Sequence, residues 1–228
     1  MNLYTAMQRG PCNTLVYYDS GPGVMLDFPA NPRVSRQVRS AEIEGESNVL
    51  YPIFLNLSGR RCVVVGGGEV ASRKSLRLLQ AGAEVVVISP KVSPELGVSA
   101  ALVYRRPYRE GDLKGAHLAF TTTDSREVNA AVAREARERG VPINVADRPS
   151  EGDFALPSTL RRGRLQVAVS TGGASPTLAK RIRSGLEGSF GSEWAGIVER
   201  LDAARRRGEA PDGKLEEEVS RCLSRLRG

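Results

Sequence analysis

Histidine, cysteine and aromatic residues are all scarce in this sequence, and each shortage excludes something. A single histidine, His117, among 228 residues argues against a histidine-based metal site. Three cysteines (Cys12, Cys62, Cys222) stand far apart without a Cys-x-x-Cys pair. That spacing excludes a disulfide framework and points to a reducing cytoplasm. No run of 18 apolar residues exists, so no helix is expected to span a membrane. The N-terminus also lacks the charged, apolar, small-residue order of a signal peptide. Aromatics amount to 5%, against an apolar fraction of 40% that suffices for a packed core. What is in excess is positive charge, 33 Lys and Arg against 26 Asp and Glu. That surplus nominates nucleic acid, an anionic membrane or an acidic small molecule as partner.

The chain divides by texture. Residues 1–48 are rich in Gly, Pro, Asn and Ser without apolar periodicity, and read as an irregular N-terminal extension or a start assigned too far upstream. Residues 49–155 alternate short β-branched runs with helical stripes. Strands are expected at 62–65, 85–88, 102–104, 117–121 and 142–145. Helices are expected at 69–81 and 124–139, the second opened by Asp124 with Glu127 as capping-box partner. This alternation predicts a Rossmann-type parallel sheet covered on both faces. Residues 156–188 read as a small α+β segment, with a strand at 165–170 and a helix from Pro176 to about Glu187. Residues 189–228 read as two amphipathic helices joined by a turn around 208–213.

Gly66-Gly67-Gly68-Glu69-Val70-Ala71 fits G-x-G-x-x-A between a strand and a helix. There the first glycine makes the turn, the second admits a pyrophosphate to the backbone, and the small third position packs helix on strand. The helix N-terminus supplies N–H groups for the phosphates. The acid that grips the adenosine ribose in many such sites is missing, because the second strand ends in Ile88-Ser89-Pro90-Lys91. The ribose is then left to the Ser89 hydroxyl, to backbone or to Lys91, which leaves NAD and NADP both open.

Four blocks carry a resemblance: 51–74 (YPIFLNLSGRRCVVVGGGEVASRK), 121–129 (TTTDSREVN), 143–158 (INVADRPSEGDFALPS) and 162–183 (RGRLQVAVSTGGASPTLAKRIR). Together they resemble the precorrin-2 dehydrogenase / sirohydrochlorin ferrochelatase family, the module that also begins siroheme synthase. The resemblance covers about residues 49–205, with no counterpart for 1–48 and no methyltransferase domain. It implies an NAD-dependent oxidation of precorrin-2, a tetrapyrrole with eight carboxylates, to sirohydrochlorin. In some members it also implies insertion of Fe2+ as a second substrate. It further implies a homodimer, with 156–188 as dimerisation segment and 189–228 as helical C-terminal part.

The resemblance makes Asp147 the catalytic residue. The residues alone allow equally an aspartate capping the loop before Arg148-Pro149. A carboxylate at a strand's C-terminal end can take the proton lost in dehydrogenation. Glu69, Val70, Pro90 and Lys91 match the family's cofactor turn, Thr122 and Thr123 lie beside the nicotinamide route, and Asn144 positions cofactor or substrate. Ser170, Thr171, Gly172 and Gly173 precede a helix whose N–H groups can hold a substrate carboxylate. A serine at the position of Thr171 has a regulatory role in some relatives. No metal ligand set is expected, and His117 and Cys62 read as structural.

The charge is concentrated. Segment 156–188 holds Arg161, Arg162, Arg164, Lys180, Arg181 and Arg183 against Glu187 alone. Arg162 and Lys180 are the candidates to contact the tetrapyrrole. Aromatics are sparse there, which disfavours nucleic acid, and no membrane partner is expected. The competing reading is a nucleotide-sensing Rossmann module without catalysis, which needs the glycine turn but not Asp147 or the basic segment.

Overall fold

The structure is a computed structural model that describes residues 50–97 and 101–225. The extension at 1–48 lies outside the described residues. Asn48–Gly228 forms one compact unit.

The β-branched runs become the centre of the unit. β1 (Arg61–Val65), β2 (Glu84–Ile88), β3 (Leu102–Tyr104), β4 (Leu118–Thr121) and β5 (Ile143–Val145) form a parallel sheet in the order β3-β2-β1-β4-β5. Helix α1 (Glu69–Gln80) lays Ala71 and Leu78 on one face, over Cys62, Val64, Val85, Val87 and Phe120. The four-residue helix α2 (Pro94–Gly97) adds Leu96 to that cluster. Helix α3 (Arg126–Arg139) lays Val132, Ala133 and Ala136 on the other, over Val63, Val65, Val86, Ile88, Ile143 and Val145. Both faces are apolar because both are covered, and each fully buried Val or Ile contributes about 1.5–3 kcal/mol. Cys62 is wholly buried, and that burial pushes its thiol up to about 11, so it is inert core.

The α3 start differs from expectation. Ser125 is the N-cap, accepting from the Val128 N–H at 3.3 Å, and Glu127 accepts from the Ser125 hydroxyl at 2.8 Å. Asp124 stays outside because the serine side chain reaches the orphan N–H.

After a 3-10 turn at Pro149–Glu151 the chain forms a hairpin not expected from sequence. β6 (Ser158–Arg162) pairs antiparallel with β7 (Leu165–Val169), turning through Gly163 at φ +57°. Only Leu160 of β6 is fully buried, so its apolar signal is faint. Then follow α4 (Pro176–Glu187), α5 (Glu193–Arg207) and α6 (Gly213–Ser224), close to the expected bounds. Trp194, Ile197, Leu215 and Cys222 form a separate small core with Leu165 packed on it. Among the described residues no helix is long and apolar enough to cross a membrane.

Candidate cofactor cleft and active site

The C-terminal ends of β1, β2 and β4 lie side by side, where strand order reverses and α/β sheets place ligands. A cleft of about 640 Å³ opens there. It is lined by Gly66–Val70, by Ser89, Pro90, Lys91, Val92 and Ser93, and by Thr122–Ser125, with Pro107, Tyr108 and Val128 as an apolar wall.

The three glycines stand in different surroundings, with Gly66 and Gly68 at the two glycine positions of G-x-G-x-x-A and Gly67 at the variable position between them. Gly66 has φ +125°, and a Cβ there would press on Thr122, coming 2.8 Å from its carbonyl oxygen. A Cβ on Gly67 would overlap the Lys91 carbonyl oxygen and approach Ser89 Oγ at 2.8 Å. Gly67 is thus demanded by the loop after β2, whose Ser93 N–H also donates to the Gly67 carbonyl at 2.7 Å. Gly68 faces open space and is the N-cap of α1. It offers no side-chain cap, whereas α3, α4 and α6 are capped by Ser125, Ser175 and Asp212. The first N–H groups of α1 therefore point into the cleft without a side-chain partner. A diphosphate fits such a cradle.

All the expected cofactor residues line this cleft except Asn144. The Ser89 hydroxyl donates to the Lys91 carbonyl at 2.6 Å and Thr122 Oγ1 to the Val65 carbonyl at 3.2 Å. Thr123 Oγ1 lies 2.7 Å from Asn129 Oδ1. These hydroxyl protons are spent inside the protein, which leaves backbone groups and oxygen lone pairs for a ligand. Asn144 is a correction. Strand alternation turns it to the α1 face, where Lys74 Nζ donates to its Oδ1 at 2.8 Å and its Nδ2 donates to the Phe154 carbonyl at 2.9 Å. It ties α1 to β5 and to the 153–154 segment.

Two organisers escaped the sequence reading. Asn129, fully buried on the inner face of α3, accepts from the Thr121 and Thr123 hydroxyls and donates to the Thr123 carbonyl at 2.9 Å. It lies inside the TTTDSREVN block, and a polar residue on a helix's buried face was the available signal. Glu135, 3% exposed, accepts from the Tyr108 hydroxyl, the Arg139 guanidinium and the Gly111 N–H at 3.1 Å. It pins the loop that carries the cleft's apolar wall. Burial works to raise the Glu135 carboxyl, but its hydrogen bonds from Tyr108 and Arg139 outweigh that and hold it below the usual range. Its stabilisation is therefore present above the unfolded carboxylate range and lost as pH falls through its lowered folded value. Glu135→Ala is expected to cost about 1–3 kcal/mol by denaturant unfolding, because it leaves the Tyr108 hydroxyl and the Gly111 N–H without their acceptor while Arg139 can turn to solvent, with the deficit against wild type shrinking in acid.

Asp147 lies two residues beyond β5, and the Ala146 N–H before it bonds to the Thr121 carbonyl at 3.1 Å. It does not line the cleft itself but stands one strand over from it. Arg126, at the start of α3, holds it at 3.4 Å. Partial desolvation pushes the Asp147 carboxyl up, but hydrogen bonding from Asn129 and the charge of Arg126 outweigh it and keep it below the usual range. It is ionised at neutral pH.

The expected substrate residues are only partly free. The Gly172, Ala174 and Ser175 N–H groups are consumed within their own loop, by Ser170 Oγ, the Thr171 carbonyl and Thr171 Oγ1. Ser175 then caps α4. These internal bonds reduce the number of loop N–H groups that remain for an anion. Arg162 is partly engaged, its Nε donating to the Phe190 carbonyl at 2.7 Å and its Nη1 to the Arg161 carbonyl at 3.0 Å. Arg161, Arg164 and Arg183 are likewise engaged, on Gly163, Asp202 and Glu187. Lys180 and Arg181 are exposed and make no ion pair among the described residues. Among those residues no group of three His, Cys, Asp or Glu side chains is placed to hold a metal ion.

An NAD(P)-binding family model matches residues 53–158, and the model of the sirohaem biosynthesis protein central region matches 162–189. The siroheme synthase of Methylobacillus flagellatus is 43% identical over 164 residues, 68% of this chain and 35% of that one. That of Nitrosococcus oceani is 46% identical over 140 residues, 60% of this chain and 30% of that one. The chain thus spans about a third of the length of the curated relatives it matches. The solved structure of SirC, precorrin-2 dehydrogenase, superposes with a TM-score of 0.61 at 30% identity, covering 78% of this chain and 92% of that one. The chain belongs to the precorrin-2 dehydrogenase family. Membership accounts for the dinucleotide cleft at the switch point and for the β6–β7 hairpin with its trailing helices, and it establishes a nicotinamide dinucleotide as the class of cofactor.

Proposed function

We propose that this chain oxidises precorrin-2 to sirohydrochlorin with NAD, in the cytoplasm and as a homodimer. The observation that carries the reading is Asp147, an ionised carboxylate one strand away from a cleft built for a dinucleotide diphosphate. Gly68, Glu69 and Val70 would hold the diphosphate, and the loop from Ser89 to Ser93 the adenosine. When bound, the nicotinamide supplies the hydride acceptor. Asp147 accepts the proton that leaves as the tetrapyrrole's conjugation extends. Thr123 and Asn129 fix the β4–α3 loop beside it. Exposed Lys180 and Arg181 draw in a polycarboxylate.

NAD is favoured over NADP by charge. Among the described residues Lys91 is the single cation lining the cleft, and Glu69 and Asp124 line it too. That balance offers no clamp for a 2′-phosphate. The dimer is supported by α4, where Leu178 and Ile182 are exposed on a helix that buries only Ala179.

The test mixes protein with precorrin-2 and either dinucleotide and follows NADH or NADPH formation with the tetrapyrrole spectrum. Turnover is expected with NAD, and tighter binding of NAD than of NADP. An unchanged spectrum with correctly bound NAD would leave a nucleotide-sensing module instead. A parallel arm with sirohydrochlorin and ferrous ion, corrected for the spontaneous rate, measures iron insertion.

A further inference from the structure

Arg126 sits where a cation is electrostatically unwelcome. It is the first residue of α3, immediately after the N-cap Ser125, at the positive end of the helix dipole. It is retained there by two carboxylates from beyond β5. Its Nη2 forks onto both oxygens of Glu151, while its Nη1 stands 3.4 Å from Asp147 Oδ2. The side chains of Arg126 and Asp147 are 35% and 34% exposed, and that of Glu151 is 25% exposed, so the cluster is partly open to solvent. Arg148, from the following turn, also faces Glu151 at 3.5 Å.

The arrangement is unequal. The tight partner of Arg126 is Glu151, and Asp147 receives the looser contact. A carboxylate locked in a bidentate arginine pair has its lone pairs occupied and is a poor proton acceptor. A carboxylate with no cation nearby is free to rotate and protonates more readily. Asp147 lies between these extremes.

We infer that Arg126 is a positioning residue for Asp147, steadying it as an open carboxylate, and that Glu151 sets how tightly Arg126 does so. This rests on the reading of Asp147 as the proton acceptor. The groups facing Asp147 are Arg126 and Asn129 from α3; Glu151 acts on it through Arg126, and Arg148 and Arg137 bear on Glu151.

The experiment measures two quantities in wild type, Arg126→Gln, Arg126→Lys and Glu151→Gln. One is the titration of the Asp147 carboxyl by carbon-13 NMR, and the other is the acid limb of kcat/KM for NADH formation. In Arg126→Gln both are expected to move upward together by about one pH unit, the low end for an opposite charge at this distance because the pair is partly exposed. KM for NAD should stay within about twofold of wild type, since Arg126 does not line the cleft. Arg126→Lys restores the charge and should return both toward wild type. Glu151→Gln frees Arg126 for Asp147 and should move both downward.

An Asp147 titration that stays put in a folded Arg126→Gln protein overturns the inference. A titration that moves while the acid limb does not strikes instead at Asp147 as the catalytic base, and leaves the hold of Arg126 on it standing.

Discussion

Asp147→Asn is expected to keep the fold and the affinity for NAD while lowering kcat for precorrin-2 oxidation by on the order of 10²–10⁴-fold, the range for loss of a positioned acid–base group. The substitution is nearly isosteric and removes only the ability to take a proton. Asp147 also lies outside the cleft lining, so dinucleotide binding has no reason to change. Stability should shift little, because the ion pair it gives up is partly exposed and long. Single-turnover formation of NADH, with calorimetric titration of NAD and a melting curve, reads all three. Near wild-type turnover in a folded protein would remove Asp147 from the chemistry. The pH dependence follows from the same charge. The carboxyl is held below its ordinary range, so the active ionised form persists down into mild acid, and the rate falls as pH passes through that lowered value.

The second large effect is at Gly67. Gly67→Ala drives a methyl group into the Lys91 carbonyl, which is backbone and cannot rotate aside. Either the loop after β2 or the start of α1 must shift. The expected cost is about 3 kcal/mol, at the upper end for overpacking, with NAD affinity falling on the order of 10²-fold because the phosphate cradle moves. Gly68→Ala is the informative contrast. Its φ of −83° suits alanine and its Cβ meets nothing within 4 Å. Its melting temperature should therefore match wild type while its methyl group intrudes on the ligand's space. Equal stability of the two variants would mean that the loop after β2 yields freely.

How much of this was legible depended on whether a residue's environment follows from its neighbours in sequence. Val63 to Val65 and Val85 to Ile88 announced buried parallel strands because a two-sided core demands unbroken apolar runs. Gly66 to Val70 announced a dinucleotide turn because backbone geometry, not side-chain chemistry, makes the site. The β6 strand was invisible, since Ser158-Thr159-Leu160-Arg161-Arg162 fully buries one side chain and bends back through a glycine without an Asn or Asp beside it. The surroundings of Asn144 and Arg162 are hidden from sequence for a related reason. Each has functional chemistry, but its partner comes from a distant element. Lys74 on α1 claims Asn144, and the Phe190 carbonyl after α4 claims Arg162. Likewise the inner-face position of Asn129 is readable from helical spacing, but the four threonine-loop hydrogen bonds it makes depend on how β4 ends.

The strand order also bears on synthesis. β1 is hydrogen-bonded on one edge to β2, the next strand made, and on the other to β4. β2, α2 and β3 must all leave the ribosome before β4 can cover that second edge. During this interval a half-built sheet presents an unpaired row of backbone groups along Cys62–Val65, flanked by valines, which is the kind of surface that recruits other chains. The centre of the finished molecule is therefore its most vulnerable line while the chain is being made, and lowering the translation rate between β3 and β4 lengthens the exposure.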